Sequence, residues 1–101
     1  MRPAARILSD QVVTGHACTP LVPILGGTNA TVFINGLPAA LIGDPLMPHT
    51  IYTGSACVPH PAIVNTGSST VFIAGRPAAR MGDLADFGAI ASGSPNVFIG
   101  G

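Results

Sequence analysis

The chain has 101 residues, of which 8% are charged and 48% hydrophobic, with a formal net charge of zero. Soluble domains usually carry roughly 25% charged residues, so this surface is poor in charge, and its zero balance leaves no electrostatic footprint for nucleic acid or anionic lipid. Every apolar run is cut by Gly, Pro, Asn or Asp within about ten residues, short of the ~20 that cross a bilayer as a helix. Ser9-Asp10-Gln11 likewise interrupts the apolar stretch that a signal peptide would need after Arg2 and Arg6.

In chain order, the first recognisable block is Pro3-Ala4-Ala5-Arg6, which is followed by a long segment holding His16 and Cys18. Thr31-Val32-Phe33-Ile34 then reads as a short buried strand, and Asn35-Gly36 directly after it is a strong signal for a two-residue hairpin turn. The returning strand opens with Leu37-Pro38-Ala39-Ala40, where a proline at the strand start costs no ladder bond. A second long segment carries His49, Cys57 and His60. Thr70-Val71-Phe72-Ile73, the weaker turn Ala74-Gly75 and Arg76-Pro77-Ala78-Ala79-Arg80 repeat the hairpin, and Asn96-Val97-Phe98-Ile99 gives a third Val-Phe-Ile block.

Three copies of each block make an internal repeat. From each Pro-Ala-Ala to the next Val-Phe-Ile the spacing is 32−3 = 29, 71−38 = 33 and 97−77 = 20 residues, so the third unit is the bare one. All histidines and cysteines fall in the two longer segments. There is no Glu and no Lys, and 13 Gly with 10 Pro interrupt every possible helix. The expectation is an all-β fold: one domain over residues 1–101, a compact pseudo-threefold body of short β-hairpins from three repeats, with essentially no helix. Ala-Ala pairs suit the crowded axis where three units meet. Because the hairpins close one end, the inserted segments connect at the other, and topology brings His16, His49, Cys57 and His60 towards one place. Asp10, Asp44 and Asp83 each follow Gly or Ser at a strand end and read as turn caps.

The Pro-Ala-Ala-Arg blocks at 3–6 and 77–80, each followed within a few residues by Asp, together with the Val-Phe-Ile blocks, resemble the PAAR-repeat family over essentially the whole chain. The resemblance implies a non-enzymatic β-rich cone that caps the trimeric spike of a contractile injection machine, chiefly a type VI secretion system or a phage tail. It also implies one structural zinc ion near the apex, held by three histidines and a cysteine. Carried onto this chain, the ligands are His16, His49, Cys57 and His60, with Cys57 taken over Cys18 because Cys57-x-x-His60 has the spacing familiar from structural zinc sites. Four protein ligands leave no open position, so the ion would be a folding pin. There are two departures: Leu41 replaces the motif's arginine in the second unit, and Asp86-Phe87-Gly88 stands where many relatives carry a cysteine.

The implied partners are a trimeric β-helical spike of the valine-glycine-repeat type, effector or adaptor cargo, and a target membrane met transiently during puncture. The protein is expected as a monomer, cytoplasmic before assembly and then exported with the spike without a signal peptide. The chain starts almost at the first repeat and stops at the third, so effectors are expected as noncovalent cargo. Two other classes compete with this reading. A small zinc hydrolase would need an open metal position and a general base, and the chain has neither Glu nor a His-Glu-x-x-His motif. A disulfide-stapled secreted module would need Cys18 bonded to Cys57, which a chain without a signal peptide disfavours, because the cytosol keeps thiols reduced.

Overall fold

The computed structural model describes residues 1–14, 16, 18–27, 29 and 31–101. All regular structure among them is β, in twelve short strands: β1 (Arg2–Pro3), β2 (Gln11–Val13), β3 (Leu21–Pro23), β4 (Phe33–Ile34), β5 (Leu37–Pro38), β6 (His49–Tyr52), β7 (Cys57–His60), β8 (Phe72–Ile73), β9 (Arg76–Pro77), β10 (Leu84–Ala85), β11 (Gly88–Ile90) and β12 (Phe98–Ile99). They pair antiparallel into a four-stranded sheet, β10-β11-β2-β3, and four two-stranded ribbons, β1-β12, β4-β5, β6-β7 and β8-β9. The body is elongated, 42 × 23 × 21 Å.

The repeats build one end. In each, the phenylalanine lies opposite the proline: Phe33 with Pro38, Phe72 with Pro77, and Phe98 with Pro3, the last pair joining the two ends of the chain. Asn35-Gly36 and Ala74-Gly75 both have positive φ at the two turn residues, 54° and 80° in the first and 53° and 79° in the second. That is the turn whose twist matches an antiparallel pair. Ala74 takes the first turn position, where the other hairpin has Asn35.

Past the turns, the Pro-Ala-Ala blocks close a ring. The Ala40 amide donates to the Ala5 carbonyl (3.0 Å), the Ala79 amide to Ala40 (2.9 Å) and the Ala5 amide to Ala79 (3.0 Å). Outside it runs a second cycle: Ile7 to the Pro38 carbonyl, Ile42 to Pro77 and Met81 to Pro3. These bonds explain the alanines. Ala4, Ala5, Ala39, Ala40, Ala78 and Ala79 are at most 1% exposed, and three backbones that bond to one another in a closed ring leave room for methyl groups only. The recurrence stops there, because the inserted segments differ: that of the first unit joins the four-stranded sheet, whereas that of the second forms the separate β6-β7 ribbon.

The ring divides two cores. The first alanine of each pair packs with Ile34 and Ile99, flanked by Val71, Ile73 and Val97 from the hairpins. The second packs with Val12, Val22, Ile24, Leu46, Val64 and Ile90 from the inserted side. Hairpins and inserted segments therefore occupy opposite sides of the ring.

The aspartates cap the turns that follow the ring. Asp10, Asp44 and Asp83 each accept from the amide of the fourth motif residue, Arg6, Leu41 and Arg80, at 2.7 Å. Arg6 and Arg80 add ion pairs to the caps of their own turns, at 2.8 and 3.1 Å. Where Leu41 takes the arginine's place, Arg76 reaches Asp44 from the neighbouring hairpin at 3.4 Å, and Arg2 likewise reaches Asp83 at 3.3 Å. The arginine missing from the second motif is thus made good by a neighbour, and all four arginines face buried carboxylates.

Candidate metal centre

His49 opens β6 and His60 closes β7, and the two are directly opposite in register. Opposed residues of an antiparallel pair project from the same face, so both rings leave the ribbon together, with centroids 5.3 Å apart. His16, from the segment after β2, lies with its ring 5.0 Å from His60 and 6.0 Å from His49. The structure thus brings the three histidines together.

All three rings point Nε2 at one carboxylate. Asp86 Oδ1 lies 2.6 Å from His16 and 2.8 Å from His60, and Asp86 Oδ2 lies 2.5 Å from His49. The four candidate ligand atoms lie within 4.8 Å of one another. The side chains of His49 and Asp86 are 1% exposed, those of His16 and His60 11% and 23%. Burial alone would push the Asp86 carboxyl up; its hydrogen bonds with His16, His60 and His49, with the charge of His16, outweigh that and hold it below the ordinary carboxylate value.

Asp86 is placed by a costly turn. Asp86 and Phe87 are the two-residue loop between β10 and β11, with φ of 51° and 61°, a region that residues other than Gly, Asn and Asp seldom adopt. Phe87 is 88% exposed and sets its ring edge-on to His16, 5.9 Å away. Strain of this kind persists where the surroundings over-determine it, and it concentrates at functional sites. Gly88 shows how tight the surroundings are: a Cβ there would sit 1.7 Å from the Val13 carbonyl oxygen, so β11 lies flush against β2 and aims the turn.

Cys57 does not join the three histidines. Its sulfur is bonded to Cys18, 39 residues away in sequence, and a disulfide sulfur has no thiolate lone pair to give a metal. Two expectations are corrected together: the cysteines form a bridge instead of standing as thiols, and the residue that joins the three histidines is Asp86, whose carboxylate is the fourth candidate donor. A legible signal existed, since Asp86 stands in the region where the related pattern carries its cysteine and an oxyanion is a zinc ligand in its own right.

The donor set can be tested for fit. His49 Nδ1 lies 2.8 Å from the Met47 carbonyl oxygen, an acceptor only, so Nδ1 carries a proton, and Nε2 is bare whenever the ring holds no second one. Two lone pairs facing each other at 2.5 Å repel unless a cation or a second proton lies between them. Among the described residues, Asp86 is the one aspartate without an arginine ion pair. Three imidazoles and one carboxylate suit a borderline-soft divalent cation, and a ring nitrogen tied to a backbone carbonyl is the usual outer support of a metal-ligating histidine. The residues fit.

Comparison with known families decides the relationship. The PAAR motif model matches residues 14–89 and 58–101, which together cover most of the chain. The chain belongs to the PAAR motif family. No curated protein matches it. As a PAAR protein it is all-β and built on short hairpins, as the repeats predicted, and its His16, His49, His60 and Asp86 form a group able to hold a metal.

Proposed function

We propose that this PAAR protein is the non-enzymatic tip of a contractile injection spike: it docks by its hairpin end on the blunt end of a trimeric β-helical spike and presents the metal-bearing end outward. The observation that carries the reading is the closed ring of Pro-Ala-Ala backbones with one two-stranded ribbon on each block, two of them hairpins and the third formed by the chain ends. One chain thereby offers three near-equivalent edges, which is what a partner with a threefold axis requires. Phe33, Phe72 and Phe98 are 56%, 57% and 46% exposed, although each occupies the same position in a strand pair. Large apolar side chains left outside in this regular way favour burial against a partner. The four arginines pair with Asp10, Asp44 and Asp83, and with Asp86 the formal charges sum to zero, a balance suited to such a contact.

The metal belongs to the same proposal. A single zinc ion held by His16, His49, His60 and Asp86 would be fully supplied by protein ligands and would act as a structural pin for the three segments it joins. It would supply cohesion at the end that meets resistance. Export with the spike, puncture of a target membrane and carriage of effectors follow from the tip role, in a type VI secretion system or in a phage tail.

Docking is tested by co-elution with the purified trimeric spike. The native chain is expected to co-elute, and the Phe33→Asp, Phe72→Asp and Phe98→Asp triple variant, checked for an unchanged β spectrum and metal content, is expected not to. A triple variant that still binds would overturn the assignment of the hairpin end as the docking face.

A further inference from the structure

Two of the histidines sit on chain segments joined covalently close by. His16 stands two residues before Cys18, and Cys57 opens the strand that His60 closes. Among the described residues, the other direct ties between the His16 segment and the β6-β7 ribbon are few. Thr19 Oγ1 lies 3.2 Å from Thr50 Oγ1 and accepts from the Thr50 amide at 3.3 Å. Within the segment, Thr14 Oγ1 donates to the Thr19 carbonyl at 2.6 Å and accepts from the His16 amide at 3.1 Å. These contacts shape the segment, and partly exposed hydroxyl bonds hold it to β6 weakly, since each is worth only about 1 kcal/mol net. His49 and His60, by contrast, are fixed by the ribbon's own ladder. His16 is therefore the ligand whose position depends most on the bridge, and Cys57, at the exposed end of β7, lies within reach of a reductant.

We propose that Cys18 and Cys57 are positioning residues for the metal centre: their disulfide holds His16 against His49, His60 and Asp86, so that retention of the metal depends on the redox state of the chain. The inference rests on the metal reading above. By reciprocity of linkage, bound metal must stabilise the disulfide by the same factor by which the disulfide tightens the metal. Loss of an outer support typically weakens a metal site by about 10–100-fold, and a change of at least tenfold is expected here. Under the proposed function the chain passes from a reducing to an oxidising compartment, and the bridge would lock the metal in after export.

The test uses the whole native chain with zinc. A water-soluble phosphine reduces the bridge: it gives two electrons to the S–S bond, takes its oxygen from water to become the phosphine oxide, and two protons from that water and solvent complete the thiols. Zinc affinity of the oxidised and reduced proteins is then read by competition with a chromophoric chelator, with the far-ultraviolet spectrum checking the fold. The expected result is at least tenfold weaker binding after reduction, and no redox dependence in His16→Ala, whose affinity is low in both states. Equal affinity in the two states of the native chain would overturn the proposal, as would an undiminished redox effect in His16→Ala or loss of the fold on reduction. Tighter binding with sulfur-to-metal charge transfer in the cobalt-substituted reduced protein would also overturn it, because thiolates would then be ligands. Failure of the oxidised protein to bind zinc at all would instead defeat the metal reading beneath it.

Discussion

Replacing Asp86 by asparagine separates the carboxylate's charge from its shape. The side chain keeps its size in the strained turn, but the charge that three Nε2 atoms approach at 2.5–2.8 Å is gone. An amide presents one oxygen, and its NH₂ group has no lone pair for a metal. With metal at about a thousand times Kd, binding adds about 4.1 kcal/mol to stability. For a domain of this size each kcal/mol moves Tm by about 4–8 °C, so chelation should lower the native midpoint by roughly 16–33 °C. A hundredfold weaker site forfeits about 2.8 kcal/mol of this gain at tenfold per 1.4 kcal/mol, and the chelation shift in Asp86→Asn should shrink to roughly a third. Differential scanning calorimetry with and without chelator reads both. Cys57→Ser is the informative companion, because a staple acts through both sulfurs equally and its effect should match that of Cys18→Ser. An Asp86→Asn protein with the full chelation shift, or a Cys57→Ser effect far beyond that of Cys18→Ser, would refute Asp86 as the fourth donor.

Three further outcomes follow from the geometry. Gly88→Ala places a methyl group on the Val13 carbonyl and should push the Asp86 turn away from the histidines; metal content by mass spectrometry should fall, and a fully loaded variant would contradict the placement. Ala74→Asn puts a residue that tolerates the left-handed region at φ 53° and should raise stability by about 1 kcal/mol, seen as a higher Tm with metal affinity unchanged; a lower Tm would show that the turn is not strained. Ala79→Val, at a position with no exposure in the hydrogen-bonded ring, should lose about 1–3 kcal/mol or more to overpacking, and an unchanged denaturation midpoint would mean that the ring is looser than its bonds imply.

Much of the scaffold was legible because it is built from local rules. Asn35-Gly36 announces its own turn, Val-Phe-Ile its strand, and paired alanines a crowded backbone, and three copies of each reinforce the same conclusion. The three histidines were legible for a topological reason, since hairpins that close one end force the inserted segments to the other. Asp86 was harder to see. Its turn lacks the glycine or asparagine that marks positive φ, and the other three aspartates are caps, so a fourth invited the same reading. The spacing count also made the third unit the bare one, yet its β10-β11 hairpin is what carries the carboxylate to the site. The disulfide was legible only as an alternative: two cysteines allow a single pairing, but whether they meet depends on which loop the β7 end reaches, a fact of the fold, and an argument from cellular compartment pointed the other way. Leu41 illustrates the limit of motif reading from the opposite side: the carboxylate it leaves is served by Arg76, from a hairpin 32 residues on.

The most direct test of the central claim is the stoichiometry of the complex with a trimeric spike, measured by light scattering on the eluting peak. On the proposed reading one chain docks across the threefold axis and should bind once per trimer, giving one chain for three spike protomers. Three chains per trimer, one on each protomer, would contradict the account, and so would no complex at all.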